Sequence, residues 1–302
     1  MKNSSPLTQE QSRFLQENGY LIIEDVLVKK EIQTLLQTAN TIIKNHEKDK
    51  VDDKNTRKNH GVDYYNIHNP LEYSEVFDFL IDHFISFDII RYLMGPYIQL
   101  NGCHIFVRRP TSNNLGNIGK FHTDSGPALQ RILPLPGNLP LQLKVQFFLT
   151  DVLTENQSNF WAVPGSHLRQ VGYHHPFCFI PQYNAYLERG DLPPDAIQVK
   201  LKAGDILFHH LNLWHAVAPN FSNQTRISIS LRYAQMWFKE YYSYYSSAII
   251  DRMTPRRRRL LGDFGEYKSG DIAYRPPIDQ VPLILGDKAE LYGWSMKWLE
   301  DR

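Results

Sequence analysis

The chain has 302 residues, 42% of them hydrophobic, enough for a substantial core and of a length that suits one large domain. Its 33 Lys and Arg against 32 Asp and Glu leave a formal net charge of +1, so no global field draws it to nucleic acid or to an acidic membrane surface. The first residues lack the apolar core of a signal peptide, no stretch approaches the roughly 20 apolar residues of a membrane span, and two cysteines, Cys103 and Cys178, are too few for a disulfide framework, which predicts a soluble, cytoplasmic protein.

Thr8 followed by Gln11 has the pattern of a capping box, with Phe14 and Leu15 at helical spacing and Gly19 where a helix would stop. Residues 20–23 are β-branched and aromatic and predict a strand. Ile32, Leu35, Leu36, Ala39, Ile42 and Ile43 then recur at three- and four-residue steps, predicting a helix that runs to about His46. Residues 47–63 are charged and aperiodic, as in a solvated loop. Val76, Phe79, Leu80 and Phe84 restore helical spacing before Gly95-Pro96 interrupts it.

Beyond this point short apolar runs bounded by turn residues replace the long amphipathic stretches. Strands are predicted over 98–108, 141–149, 160–163, 197–201, 206–209 and 226–233, a spacing that fits a double-sheet jelly roll. Two long connections, 110–120 and 172–194, interrupt it, and loops of that length are usually functional or disordered. The tail from about Trp237 is rich in Tyr and Arg and is expected to fold as helices against the barrel. The expectation is therefore a mainly β protein with flanking α-helices in one domain: a helical part over about 1–96, a core over about 97–235 and a helical tail over about 236–302.

His122-Thr123-Asp124 places two metal-ligand types two residues apart, on one side of an extended segment. The pair alone is weakly specific. A distant histidine would complete a two-histidine, one-carboxylate set with open positions for Fe(II), and His215 is the best candidate because a Gly204-Asp205 turn feeds a strand that leads to it. Arg226 opens a strand eleven residues later, where an isolated charge in an apolar barrel is costly. A bound dicarboxylate would neutralise it through a bidentate contact, and an acidic side chain at a strand end would do the same.

Four segments, in order, resemble the phytanoyl-CoA dioxygenase family. They are Leu7-Thr8-Gln9-Glu10-Gln11 with Phe14-Leu15 and Glu17-Asn18-Gly19-Tyr20; Gly119-Lys120-Phe121-His122-Thr123-Asp124; Glu155-Asn156 through Pro164-Gly165-Ser166-His167; and Trp214-His215-Ala216-Val217-Ala218-Pro219-Asn220 with Arg226. The glycine usual after Asn156 is missing, which points to a remodelled turn. The resemblance implies a double-stranded β-helix in which His122, Asp124 and His215 hold Fe(II) and Arg226 receives the far carboxylate of 2-oxoglutarate. No other catalytic residue is implied. His104 and Gln146 stand closest to further co-substrate positions, with a purely structural role equally open to both, and Ser228 shares the face of Arg226. The implied reaction consumes dioxygen and 2-oxoglutarate, releases succinate and carbon dioxide, and hydroxylates, desaturates or cyclises a small molecule at an unactivated C–H bond. Related halogenases leave the carboxylate position small so that halide can enter, and Asp124 fills it here.

Several other residues invite a site reading with a plainer one beside it. His209, His210 and His167 are expected to be hydrogen-bonded structural histidines, Arg256 to Arg259 the solvated start of a helix, and Tyr241, Tyr242, Tyr244 and Tyr245 packing for the tail. Two other classes remain in view: a cupin-like metalloenzyme that needs no 2-oxoglutarate, and a non-catalytic jelly-roll binding module. The loops and aromatic tail suit a specialised-metabolite or amino-acid-like substrate of natural-product biosynthesis.

Overall fold

The computed structural model describes residues 5–49, 56–57, 64–111, 119–124, 140–169, 179–238, 245–263 and 281–286. Helix α1 (Gln9–Asn18) opens with the capping box, Thr8 Oγ1 accepting from Gln11 N while the Gln11 side chain accepts from Thr8 N, and closes on Gly19 in the left-handed region. Strand β1 (Tyr20–Ile23) and helix α2 (Lys29–Asp49) follow. α2 begins earlier and ends later than its apolar stripe, because Glu31 accepts from Val28 N at the start and the polar last turn needs no buried face.

The 47–63 segment departs from a plain loop: it contains β2 (Thr56–Arg57), paired with β3 (Tyr64–His68). The single helix expected around residues 76–84 is two elements. A 3₁₀ stretch, Glu75–Asp82, ends at His83, whose extended backbone breaks the repeat, and α3 (Phe84–Met94) starts afresh with Phe84 74% exposed. The remaining elements are β4 (Ile98–Arg108), β5 (Gln142–Phe148), β6 (Phe160–Ala162), α4 (Pro181–Glu188), β7 (Ile197–Gln198), β8 (Ile206–His210), β9 (His215–Val217), β10 (Arg226–Gln235), α5 (Ser247–Arg252), α6 (Pro255–Leu260) and α7 (Val281–Leu285). Thus the 172–194 connection carries a helix, α4, begun by Pro181 in its first turn.

All strand pairings are antiparallel. The major sheet runs β1-β8-β5-β10-β4-β3-β2 and the minor sheet β7-β6-β9. His122 extends the minor sheet, bridged to His215 of β9 on one side and to Phe179 on the other. The fold is the expected jelly roll, mostly antiparallel sheet with flanking helices.

The two faces of the major sheet differ, which follows from the two-residue period of a strand. On one face Cys103, Ile105, Val107, Val145, Phe147, Ile229 and Leu231 pack with Leu35, Ala39, Phe77, Leu80 and Phe87 of the helical layer in the main core. Removing Leu80, fully buried there, is expected to cost about 2–5 kcal/mol. The opposite face is polar and looks into the barrel, carrying residues such as His104, Lys144, Gln146 and Arg226. Behind the minor sheet a second cluster of Phe121, Trp161, Tyr183 and Trp214 packs with α4, and a third around Phe148, Phe160 and Leu207 fills the space between the sheets.

The tail helices dock through ions. Arg252 forks onto Asp78, with both bonds 2.8 Å, and Arg257 bonds Asp82 at 2.6 Å, so α5 and α6 lie against the 3₁₀ stretch. The arginine run is therefore not a solvated helix start: Arg259 is 2% exposed and Arg256 and Arg257 both pair with Asp82. Tyr245 packs against the main core, while Tyr241, Tyr242, Tyr244 and Cys178 lie outside the described residues. Cys103 is a buried free thiol, and no described helix is long and apolar enough to cross a membrane.

Candidate metal centre

His122 and His215 are 93 positions apart in the chain numbering, yet they are direct backbone partners. His122 N donates to His215 O at 2.9 Å and His215 N donates to His122 O at 3.0 Å, which sets their rings 4.4 Å apart. Asp124, two residues on, is held by its own N–H bond to Leu211 O. The candidate ligand atoms of His122, Asp124 and His215 all lie within 4.8 Å of one another. Each imidazole is oriented by its far nitrogen: Nδ1 of His122 faces Lys120 O at 2.7 Å and Nδ1 of His215 faces Leu213 O at 2.8 Å. A carbonyl only accepts, so Nδ1 carries the hydrogen and Nε2 turns its lone pair inward. The Nε2 atoms stand 3.7 Å and 3.6 Å from the two oxygens of Asp124.

Neighbouring segments brace this pair. Asn184 of α4 grips both backbone groups of Phe121, accepting from its N–H at 2.7 Å and donating to its carbonyl at 3.0 Å, and so fixes the residue before His122. Ser166 Oγ accepts from Trp214 N, and Asn212 donates to His167 O, so the Pro-Gly-Ser-His segment fixes the approach to His215. His167 is itself held by Gln16 O at 3.1 Å. Asn156 and Ser158 take left-handed backbone angles, with φ of 60° and 59°, in the turn that lacks the usual glycine.

Protonation favours ligation. Burial, helped by His122, lowers the pKa of His215 to about 3, so the ring is neutral with a free lone pair at neutral pH. Burial pushes the Asp124 carboxyl up, but the Lys144 ammonium on its Oδ2, with the two imidazoles, outweighs that and holds it well below the usual range. His209, its ring 4.9 Å from that of His215, is kept neutral chiefly by burial, and so is His104, packed 4.5 Å from His68. His210 faces the ring of His167 and lies off the cavity.

The three residues line a cavity of about 600 Å³. Arg226 lies in the same cavity, 3% exposed, with Nε and Nη1 lacking any partner. Its guanidinium lies 4.9 Å from the Phe148 ring, and Arg108 is its register partner on β4. Burial, then the charge of Arg108, lowers its pKa to about 9. Arg108 is differently placed: it donates to Tyr65 O, Val107 O and Asn66 Oδ1 and lies 3.4 Å from the Tyr64 ring centroid. Gln146 lines the cavity and donates to Ser228 Oγ at 2.7 Å, and Ser228, two residues beyond Arg226 on β10, is fully buried and not among the residues that line the cavity. His104 also lines the cavity.

The donor set of two imidazoles and one carboxylate with an open side fits a ferrous ion. The orphaned guanidinium fits a dicarboxylate co-substrate. Lys144, Arg108, Arg232 and Asn184 escaped the sequence reading; Lys144 carried a signal in its same-face spacing from Gln146, and Arg232 in its same-face spacing from Arg226.

A family model described as phytanoyl-CoA dioxygenase matches residues 15–228. Among solved structures, a non-haem alpha-ketoglutarate-dependent carbocyclase, SnoK of nogalamycin biosynthesis, aligns with a TM-score of 0.57 at 21% identity, covering 78% of this chain and 87% of its own. HygX from Streptomyces hygroscopicus, crystallised with nickel, 2-oxoglutarate and hygromycin B, aligns with a TM-score of 0.57 at 17% identity, over 80% of this chain and 94% of its own. EctD from S. alaskensis with bound Fe gives 0.58 at 16% identity, over 78% and 79%.

Proposed function

Because the chain belongs to the phytanoyl-CoA dioxygenase family, and so to the non-haem iron, 2-oxoglutarate-dependent enzymes, we propose that His122, Asp124 and His215 hold its Fe(II) and that Arg226 receives the far carboxylate of 2-oxoglutarate. One observation carries this reading above the alternatives: a buried guanidinium with two unpartnered nitrogens shares the cavity of the His-Asp-His set. A cupin-like enzyme without a co-substrate, or a binding module without an anionic ligand, would leave this buried cation uncompensated.

When bound, iron and 2-oxoglutarate with dioxygen supply an oxidation of an unactivated C–H bond, with succinate and carbon dioxide as co-products. The chain's own residues do the rest. His122 and His215 present their Nε2 atoms, with the rings fixed by the Lys120 and Leu213 carbonyls. Asp124 supplies the negative ligand while Lys144 holds its Oδ2. Phe160, stacked 5.0 Å from the His215 ring, shields that ligand from water. Arg226 sets the depth and direction of the co-substrate by a bidentate contact, with Gln146, braced by Ser228, as a neutral hydrogen-bonding group along its length. His104 is a neutral wall of the cavity. The product is a hydroxylated, desaturated or cyclised small molecule, with a specialised metabolite or amino-acid-like compound as the class of substrate. The chain works as one domain, since the main core draws on the helical start, the barrel and the tail together, from Leu35 to Ile229 to Leu260. A cytosolic site of action agrees with its free Cys103 thiol.

The test is substrate-free turnover. Protein purified without oxygen is given Fe(II) and 2-oxoglutarate, and succinate is followed after air is admitted. Wild type should form succinate, His122→Ala none, and Arg226→Ala only at a greatly raised 2-oxoglutarate concentration. Equal succinate from wild type and His122→Ala would overturn the assignment.

A further inference from the structure

The three candidate ligands do not by themselves choose which oxygen of Asp124 meets the metal. Oδ1 stands 3.7 Å from Nε2 of His122 and Oδ2 stands 3.6 Å from Nε2 of His215, so the carboxylate offers both oxygens to the imidazoles at nearly the same distance. The backbone bond from Asp124 N to Leu211 O fixes the residue but leaves the rotation of its carboxylate open. The number of oxygens used matters to the reaction. The side chains take three positions of an octahedral ferrous ion and a chelating 2-oxoglutarate takes two, which leaves one for dioxygen. A carboxylate that gripped the iron with both oxygens would fill it.

One cavity side chain breaks this symmetry. Lys144 stands in the middle of β5, a strand buried over its whole length between β8 and β10, and its ammonium bonds Oδ2 of Asp124. The lysine is 9% exposed, and Asp124 is the sole carboxylate among the described residues that line the cavity, so a metal that took Oδ2 from the ammonium would leave a buried cation without its counter-ion. Its other neighbours offer no replacement. The Phe106 ring, 5.8 Å from Nζ, is an apolar wall, His209, opposite on β8, is kept neutral chiefly by burial, and Arg232, opposite on β10, is itself a cation. Oδ2 therefore stays with Lys144, and Oδ1 is left for the metal. A lysine suits this task because its point charge takes one oxygen, whereas the fork of an arginine matches both.

We propose that Lys144 is a positioning residue that confines Asp124 to a single-oxygen ligand and so keeps the dioxygen position of the iron open. The inference deepens the iron and co-substrate reading given above and rests on it.

It is tested with nitric oxide, an unreactive stand-in for dioxygen whose complex with Fe(II) has its own electron paramagnetic resonance signal. The gas is titrated into anaerobic protein carrying Fe(II) and saturating 2-oxoglutarate, whose visible absorption band reports the loaded site. Wild type should bind nitric oxide saturably. Lys144→Met, similar in length but without a donor, should keep the band and bind nitric oxide about tenfold or more weaker. Lys144→Gln, which returns a single neutral donor to Oδ2, should recover part of that loss. Undiminished nitric oxide binding in Lys144→Met overturns the inference, and so does an equal loss in Lys144→Gln, which would assign the effect to charge and not to the bond. A band that is lost in Lys144→Met, or that needs more 2-oxoglutarate there, also overturns it, because the lysine would then serve the fold or the co-substrate. Absence of the band in wild type overturns the co-substrate reading, and this inference with it.

Discussion

Replacing Arg226 by methionine should stabilise the protein while destroying its response to 2-oxoglutarate. The guanidinium is 3% exposed, has Nε and Nη1 unpartnered, and lies beside Arg108. Its pKa is lowered from 12.5 to about 9, mainly by burial. A depression of that size corresponds to about 5 kcal/mol of disfavour for the cation in the folded chain. Because the folded value lies below the unfolded one, the penalty is present in full at every pH below about 9 and fades as the pH rises towards the ordinary arginine value. Exchanging buried ions for apolar side chains of similar volume returns about 1–4 kcal/mol in practice, so that is the expected gain of Arg226→Met near neutral pH. The assay is urea unfolding of the anaerobic Fe(II) protein, with and without 2-oxoglutarate. Wild type should gain about 2.7 kcal/mol at a hundredfold excess over its dissociation constant, and the variant nothing. A variant less stable than wild type without the ligand, or one still stabilised by it, would refute the reasoning.

Three further outcomes are expected. Asn184→Leu removes the two side-chain bonds to the Phe121 backbone, leaving its carbonyl only the bond from Ile180 N, and should weaken Fe(II) binding about 10–100-fold in an anaerobic metal titration while leaving the ligands in place. Gly19→Ala forces a side chain into the left-handed region, with φ of 78°, and into the His167 ring, and should lower stability by about 1–3 kcal/mol or more in thermal unfolding. Asp78→Asn breaks the fork from Arg252, should cost about 1.5–3 kcal/mol, and should speed amide hydrogen exchange in α5 and α6 above that in β10.

Much of this architecture is legible in the sequence because its signals are local. Thr8 and Gln11 mark the start of α1, and β4 runs over the residues expected, bounded by Gly95-Pro96 before it and Pro110 after. The juxtaposition of His122 and His215 is non-local, and only the ordered set of motifs around them pointed to it. The side chains that charge the cavity were hidden for a different reason. Every residue of β5 is buried, so both faces of that strand are shut off from solvent and its alternation in polarity is the one clue that Lys144 and Gln146 look inward. Arg108 closes β4 just before a turn, where an arginine reads as a strand-end ion, and Arg232 lies inside β10 at same-face spacing from Arg226, which marks the face it shares but not where that face looks. β3 was missed because Tyr64-Tyr65-Asn66-Ile67-His68 follows a charged tract and has only one aliphatic side chain. The break at His83 is set by backbone geometry, to which the spacing of Val76, Phe79, Leu80 and Phe84 is blind.

Anaerobic titration of the protein with Fe(II) in the presence of 2-oxoglutarate bears most directly on the assignment of the iron and co-substrate sites. One equivalent of iron per chain should produce a visible charge-transfer band that requires 2-oxoglutarate, vanishes in His122→Ala and His215→Ala, and needs far more co-substrate in Arg226→Ala. A wild-type protein that binds iron without developing the band, or a band unchanged in His215→Ala, would contradict it.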